Sequence, residues 1–118
     1  MQIIHATRIN RREMKDIEEA VCYIDRHFHE KITPEDLSQR FLIPPKKLQA
    51  GFQRRTGYTV HNYLMNVRLL HSKLLLSGDE PIKIIAAKIG YSNQSHFGQF
   101  FKKLAGTTPA EYRLSLEQ

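Results

Sequence analysis

Hydrophobic side chains recur at intervals of three and four residues along most of the chain, which is typical of amphipathic α-helices. No stretch alternates apolar and polar residues over the length of a strand with β-branched enrichment. We therefore predict an all-α fold. In the first predicted helix the recurring apolar positions are Met14, Ile17, Val21, Ile24 and Phe28.

Start and stop signals divide the pattern into seven helices. Asn10 and Glu13 fit a capping box, Thr33-Pro34 is a strong helix start, and glycines follow several of the apolar runs. The predicted helices cover about residues 11–28, 34–41, 44–57, 59–77, 81–90, 93–105 and 108 onward.

Part of the helical pattern occurs twice. Two short helices joined by a tight turn lie on either side of the long helix, and nine positions match with one register shift. We therefore predict two helix-turn-helix subdomains joined by a long linker helix, a homeodomain-like arrangement. The predicted organisation is 1–58 for the N-terminal helix and first subdomain, 59–78 for the linker helix and 79–118 for the second subdomain. The matched positions are Leu37, Ser38, Phe41, Ile43, Leu48, Phe52, Gly57, Thr59 and Tyr63 with Ile85, Ala86, Ile89, Tyr91, Phe97, Phe101, Gly106, Thr108 and Tyr112.

The second helix of such a unit is braced by the first and presents its outer face to a major groove of DNA. Close helix crossing needs a small residue, which Ser38 and Ala86 supply, and the second turn has Gly90 for a positive φ. A linker of roughly 18 residues is about 27 Å long. A separation of about 34 Å between the two recognition helices, one turn of DNA, is then feasible. The predicted core side of the last recognition helix comprises Phe97, Phe100, Phe101 and Leu104.

The opposite faces of the two recognition helices carry amides, hydroxyls and amines, which suit base edges and phosphates. The predicted base-contacting residues are Lys46, Gln49, Ala50, Gln53, Gln94, Ser95 and Gln99. The predicted phosphate-contacting residues are Lys47, Arg54, Arg55, Lys102 and Lys103. The alternative for each polar stripe is a solvated helix face with no ligand.

The charge of the chain favours an anionic partner. The net charge is +6, and residues 31–77 hold eight Lys/Arg against two Asp/Glu. Such a surplus fits double-stranded DNA, but it also fits an acidic protein partner or sequence-independent DNA binding. A basic helical protein-interaction module is therefore an open alternative. We expect no membrane partner, because no apolar run approaches the roughly 20 residues of a membrane span.

Catalysis is not expected. The histidines show no metal-ligand spacing with acids or with the single cysteine, and the chain has no glycine-rich phosphate loop. We predict no enzyme activity, no cofactor and no metal site. Because Cys22 is the single cysteine, no internal disulfide can form, which fits a cytoplasmic location. We expect Cys22 to be a small packing residue.

A set of residues in the two helix-turn-helix units forms a recognisable motif: Leu37, Leu48, Phe52, Thr56, Gly57, Tyr63, Leu64, Arg68, Leu69, Ile85, Ala86, Ile89, Gly90, Tyr91, Ser95, Phe97, Phe101, Lys102, Gly106, Thr108, Pro109, Tyr112 and Arg113. This motif resembles the DNA-binding domain of the AraC/XylS family of bacterial transcription regulators. The resemblance implies a seven-helix domain that binds promoter DNA in the bacterial nucleoid and regulates transcription, often by contacting RNA polymerase.

The first unit departs from the family pattern at three positions. Leu42 stands where the turn glycine is usual, Pro44 replaces a capping serine, and Ala50 replaces a common arginine. Alanine can offer a base only apolar contact, for instance to a thymine methyl group. Arg68 and Arg113 are expected to brace helix packing rather than touch DNA.

Members of the family often carry a sensing domain, for which this chain has no room. A small-molecule effector is therefore not expected within it. The chain is either a stand-alone short regulator or a piece of a longer protein, and its irregular start favours the latter.

Overall fold

In a computed structural model that describes residues 7–117, the chain folds into α-helices, and these residues contain no strand. The all-α prediction is confirmed, and the observed helix ends lie within one residue of those predicted. No helix in this part of the chain is long and apolar enough to cross a membrane. The helices are α1 Arg11–His27, α2 Pro34–Phe41, α3 Pro45–Thr56, α4 Val60–Leu76, α5 Ile82–Ile89, α6 Gln94–Ala105 and α7 Pro109–Ser115.

The chain forms two compact units. The first contains the described residues up to His27 together with Ile32–Leu64, and the second contains Phe28–Lys31 together with the chain from Met65 onward. Helix α4 thus contributes its first turn to one unit and the rest of its length to the other. The predicted organisation, with the linker helix as a separate segment, stays a proposal, and its residues 1–6 and 118 lie outside the described part of the chain.

The core of the first unit lies where α1 crosses α2 and α3. At this crossing a Cβ on Gly51 would lie only 1.9 Å from Cδ1 of Ile17, so a larger residue here would require the side chain of Ile17 to move. Each large apolar side chain buried there contributes roughly 1.5–3 kcal/mol. The buried side chains include Ile17, Ala20, Val21, Ile24, Leu37, Leu48 and Phe52.

The core of the second unit joins the end of α4 to α5 and α6. Leu104 was predicted on the core side, but it is 43% exposed. It lies in the last turn of α6, and Phe97 and Phe101 already fill the buried positions of the helix. The buried residues of this core are Leu76, Ile85, Ala86, Ile89, Phe97 and Phe101.

Cys22 is exposed on α1, so the prediction of a packing residue is wrong. The buried face of α1 is defined by Ile17, Val21 and Ile24. Cys22 follows Val21 by one residue, and the helix rotates about 100° at that step, which turns the thiol away from the core.

Candidate nucleic-acid interface

The turn of the second unit requires a glycine. Gly90 ends α5 with φ of 117°, and its N–H donates to the carbonyl of Ala86 at 3.2 Å. A Cβ at this position would lie 2.5 Å from the carbonyl oxygen of His29 and 3.0 Å from Nη2 of Arg68. The predicted positive φ is confirmed, and the close approach of the backbone of His29 is a second reason for glycine.

The helix after this turn begins at a side-chain cap. Asn93 is extended, and its Oδ1 accepts the backbone N–H of His96 at 2.8 Å. This cap satisfies one of the free N–H groups of the first turn of α6. The N-terminal residues Gln94 and Ser95 are exposed.

The two faces of α6 are sorted as the sequence predicts, except at Leu104. Phe97 and Phe101 are fully buried, whereas Gln99, Gln94 and Ser95 are exposed. The polar side chains therefore present amide and hydroxyl groups to solvent, where base edges could reach them. Their contact with bases stays a prediction.

The turn of the first unit has the same backbone conformation without a glycine. Leu42 adopts φ of 53°, and its side chain is 88% exposed. Ser38 occupies the small-residue position, and its Oγ donates to the carbonyl of Ile43. A left-handed conformation costs a non-glycine residue roughly 1–2 kcal/mol, so this turn is less favourable than its counterpart.

Helix α3 begins without a side-chain cap. Pro44 holds the N-cap position and makes no side-chain hydrogen bond, and a second proline follows it. Of the predicted base-contacting residues, Lys46, Gln49 and Gln53 are exposed and Ala50 is half-buried. The amide nitrogen of Gln53 donates to the carbonyl of Gly57 at 3.1 Å, so this side chain already has a partner at the helix end.

The three cations that α3 was predicted to offer to phosphates all have partners within the first unit. Lys47 Nζ lies 2.9 Å from Oε2 of Glu13, and Arg55 pairs with Glu18. The guanidinium of Arg54 donates to the carbonyl of Thr7. Sequence reasoning missed these pairs, because they depend on the docking of α1 against α3. The available signal was that residues 1–30 hold six Asp/Glu against five Lys/Arg, in contrast to the basic surplus of residues 31–77.

Ionisation in this region follows the contacts. The backbone N–H of Asn10, followed by the amine of Lys47, lowers the pKa of Glu13 below its ordinary value. The hydrogen bond from Arg55 to Glu18 raises the pKa of that arginine. The lowered pKa favours the charged carboxylate of Glu13, and the raised pKa favours the charged guanidinium of Arg55.

The cations of α6 are arranged differently. Lys102 and Lys103 are both exposed in the last turn of the helix. The structure shows no ion pair for either lysine among the residues it describes. Lys103 is therefore available to an external anion, whereas Lys102 also interacts electrostatically with Glu111. The role of both lysines at phosphates stays a prediction.

Arg68 fixes the second turn from inside. It is 7% exposed, and it donates from Nε to the carbonyl of Phe28 at 2.7 Å and from Nη2 to that of Glu30 at 2.9 Å. Its guanidinium lies 5.2 Å from the ring centroid of Tyr91, which stacks on Phe100 at 5.0 Å. The predicted bracing role is confirmed, and it extends through Tyr91 to the recognition helix α6.

The contact between Arg68 and Tyr91 also affects ionisation. Burial raises the pKa of the Tyr91 phenol, and the neighbouring Arg68 partly offsets that rise. Arg113 donates from Nε to the carbonyl of Leu76 at 3.0 Å, which satisfies a carbonyl at the end of α4. The bracing role of Arg113 is therefore also confirmed.

This geometry, a short helix, a left-handed turn and a second helix with a polar outer face, defines a helix-turn-helix protein. A model of the helix-turn-helix domain matches residues 37–115. The chain belongs to the AraC/XylS family of transcriptional regulators, whose DNA-binding domain it matches.

Three similar proteins illustrate the match. The chain is 33% identical over 92 residues to the probable transcriptional regulator LumQ of Photobacterium leiognathi, covering 77% of this chain and 37% of LumQ. It superposes on the C-terminal domain of AraT, a response regulator from Geobacillus stearothermophilus, with a TM-score of 0.79 and 28% identity over 92% of this chain and 88% of that one. It superposes on the DNA-binding domain of the global transcriptional factor AdpA, solved with a target DNA, with a TM-score of 0.77 and 25% identity over 85% and 91%. The chain spans about a third of the length of the curated relatives it matches.

Proposed function

We propose that the chain binds promoter DNA sequence-specifically and regulates transcription. In this proposal α3 and α6 enter successive major grooves of the duplex. The observation that carries it is the exposed polar face of α6. This helix starts at the Asn93 cap and follows the turn at Gly90. The similar AdpA domain was solved with a target DNA, which supports the same use of this domain.

The two recognition helices have different tasks in the proposal. On α6, Gln99 reads a base edge together with Gln94 and Ser95 near the start of the helix. A glutamine amide can pair with both N6 and N7 of adenine, which makes adenine the preferred partner. Lys102 and Lys103 contact phosphates, which fix the register of the protein without reading sequence.

Helix α3 offers fewer free hydrogen-bonding side chains to bases than α6 does. Lys46 and Gln49 supply the polar contacts, and Ala50 supplies only an apolar surface that suits a thymine methyl group. Gln53 contributes less, because its amide nitrogen is held by Gly57. We therefore infer that α6 carries the larger share of sequence discrimination.

The regulatory role is the less direct part of the proposal. RNA polymerase at a promoter is the proposed protein partner, and the bacterial nucleoid is the proposed location. The matched relatives are longer than this chain. If the chain is part of a longer protein, we propose that a further domain of that protein binds the effector.

A binding titration tests the proposal. Duplexes selected from a random pool by repeated binding are compared with scrambled duplexes of equal length, at two salt concentrations. A sequence-specific protein should keep a large affinity ratio as salt weakens the phosphate contribution. A protein-interaction module should show no sequence preference at either salt concentration. An architectural DNA-binding protein should bind both duplexes alike, and either of these results would contradict the proposal.

A further inference from the structure

The flank of α3 that faces α1 carries cations but does not leave them free. Lys47 and Arg54 are seven residues apart and therefore lie on the same side of the helix. Lys47 is paired with Glu13 and Arg54 is bonded to the carbonyl of Thr7, while Arg55 at the end of the helix is paired with Glu18. The ion pairs thus connect α1 to the helix that is proposed to enter a groove.

Glu13 performs two separate functions in this arrangement. Its Oε1 accepts the backbone N–H of Asn10 at 3.0 Å, which completes the capping box of α1. The same carboxylate lies 3.2 Å and 2.9 Å from Nζ of Lys47 through its two oxygens. The side chains of the pair are 18% exposed for Glu13 and 34% exposed for Lys47. A partly enclosed pair of this kind is less screened by salt than a fully exposed one.

We propose that Glu13 and Glu18 restrain Lys47 and Arg55 of α3 and thereby weaken the sequence-independent part of DNA binding. A phosphate must compete with the carboxylate for Lys47 or Arg55 before either can contribute to the affinity. The inference rests on the proposed DNA binding, but it concerns the phosphate contacts rather than the base contacts.

The expected size of the restraint follows from the strength of surface ion pairs. Double-mutant measurements on exposed pairs correspond to roughly a twofold to fivefold change in an equilibrium constant. Each additional phosphate neutralised also steepens the dependence of log affinity on log salt by about 0.9. Because phosphate contacts are the same on every sequence, both effects should apply equally to all duplexes.

Glu13→Gln is the decisive variant. Glutamine retains the capping box, in which either Glu or Gln can accept the N-cap N–H, but it removes the charge that holds Lys47. We expect this variant to bind a scrambled duplex about twofold to fivefold more tightly than the wild type, with a salt slope steeper by about 0.9. A selected duplex should gain the same factor. An unfolded basic chain could bind the scrambled duplex through its cations but would lose its preference for the selected one, so the equal gain on both duplexes separates release of Lys47 from unfolding.

Glu35→Gln is the matched control. It raises the net charge by the same amount, and Glu35 is an exposed residue in the first turn of α2 for which the structure shows no ion pair among the described residues. Its effect on affinity measures the contribution of net charge alone. If Glu13→Gln and Glu35→Gln shift the affinity and the salt slope equally, or if Glu13→Gln weakens binding, the proposed restraint is wrong.

A double-variant cycle identifies the cation concerned. In a Lys47→Ala background, Glu13→Gln should no longer tighten binding beyond the control, and Glu18→Gln should likewise lose its effect in an Arg55→Ala background. A gain that persists without the partner cation would overturn the proposal. The same titrations also record the sequence preference of the wild type.

The wild-type result separates this inference from the proposed function. If the wild type shows no sequence preference but the gain in affinity is retained, the proposed function is refuted and the restraint stands. If the wild type binds no duplex, both are refuted.

Discussion

The two helix-turn-helix units reach the same turn by different means. In the second unit Gly90 combines a positive φ with a position where the backbone of His29 leaves no room for a Cβ. In the first unit Leu42 adopts a positive φ with its side chain in solvent. The first turn tolerates a side chain because the side chain of Leu42 lies in solvent, and the second does not because a Cβ on Gly90 would lie 2.5 Å from the carbonyl oxygen of His29. The difference shows that the requirement for glycine comes from the surroundings of the turn as well as from its φ.

The recognition helices differ in a corresponding way. Helix α6 has an asparagine cap at its start and exposed lysines at its end. Helix α3 starts at an uncapped proline, and its Lys47 and Arg55 are paired with carboxylates of α1. The second unit thus offers more groups to a ligand. We infer that the first unit contributes orientation and the second contributes most of the discrimination.

The largest expected effect is that of Gly90→Ala. The strained φ and the clash with the carbonyl of His29 should together lower the free energy of unfolding by about 2–5 kcal/mol. Leu42→Gly, its counterpart, should raise the free energy of unfolding by less than about 1 kcal/mol, because relief of the left-handed strain is offset by the greater chain entropy of glycine. Urea denaturation of both variants measures the contrast. Equal and small effects at the two positions would refute the distinction between the turns.

Arg68→Met should break the second unit while sparing the first. The change removes two charge-assisted hydrogen bonds and leaves the carbonyls of Phe28 and Glu30 without that donor, at a cost of about 2–4 kcal/mol. Hydrogen exchange resolved by segment is the appropriate measurement, since it reports stability locally. Protection should fall in α5 and α6 and be retained in α1. Uniform loss over both units would mean that Arg68 stabilises the whole chain rather than the second turn.

Much of this comparison was accessible from the sequence, because it depends on local signals. The caps at Thr33 and Asn93 and the positive φ of Gly90 are set by residues within a few positions of one another. The exposure of Leu104 was mispredicted, because it depends on which part of the helix a neighbouring helix covers. The error at Cys22 was local, because this residue lies about 100° from Val21 and so off the apolar face that the periodicity defines. The pairing of Lys47 with Glu13 spans 34 positions along the chain and could not be read from spacing. The sequence patterns therefore did not show which helices pack against each other across long stretches of the chain.

The proposed difference in discrimination is tested by glutamine substitutions on the two recognition helices. Gln99→Ala should cost roughly 1–3 kcal/mol on a selected duplex and relax discrimination at one base pair. Gln53→Ala should cost less, because its amide is already bonded to Gly57. Titration of each variant against single-base variants of the duplex gives the result. Equal loss on every sequence would make Gln99 a backbone contact, and a larger effect at Gln53 would reverse the order of the two helices.

The helix starts provide a smaller contrast. Asn93→Ala should lower the free energy of unfolding by about 1 kcal/mol, because the N–H of His96 loses its acceptor. Pro44→Ser should raise it by less than about 1 kcal/mol by supplying the cap that α3 lacks. Thermal unfolding of the two variants measures both shifts. A destabilised Pro44→Ser protein would show that the fixed φ of the proline matters more than a side-chain cap.

The smallest expected effect concerns the lysines of the two helices. Lys103→Ala should weaken binding to all duplexes and flatten the salt slope by about one, because an unpaired cation at a phosphate is lost. Lys47→Ala should flatten the slope by less, because its charge is already engaged by Glu13 in the free protein. Both slopes come from titrations of a scrambled duplex over a range of salt concentrations. Since the two variants lose the same charge, net charge alone cannot account for a difference in slope. Equal slopes would mean that α1 does not restrain Lys47, and a steeper loss for Lys47 would make the first unit the main phosphate anchor.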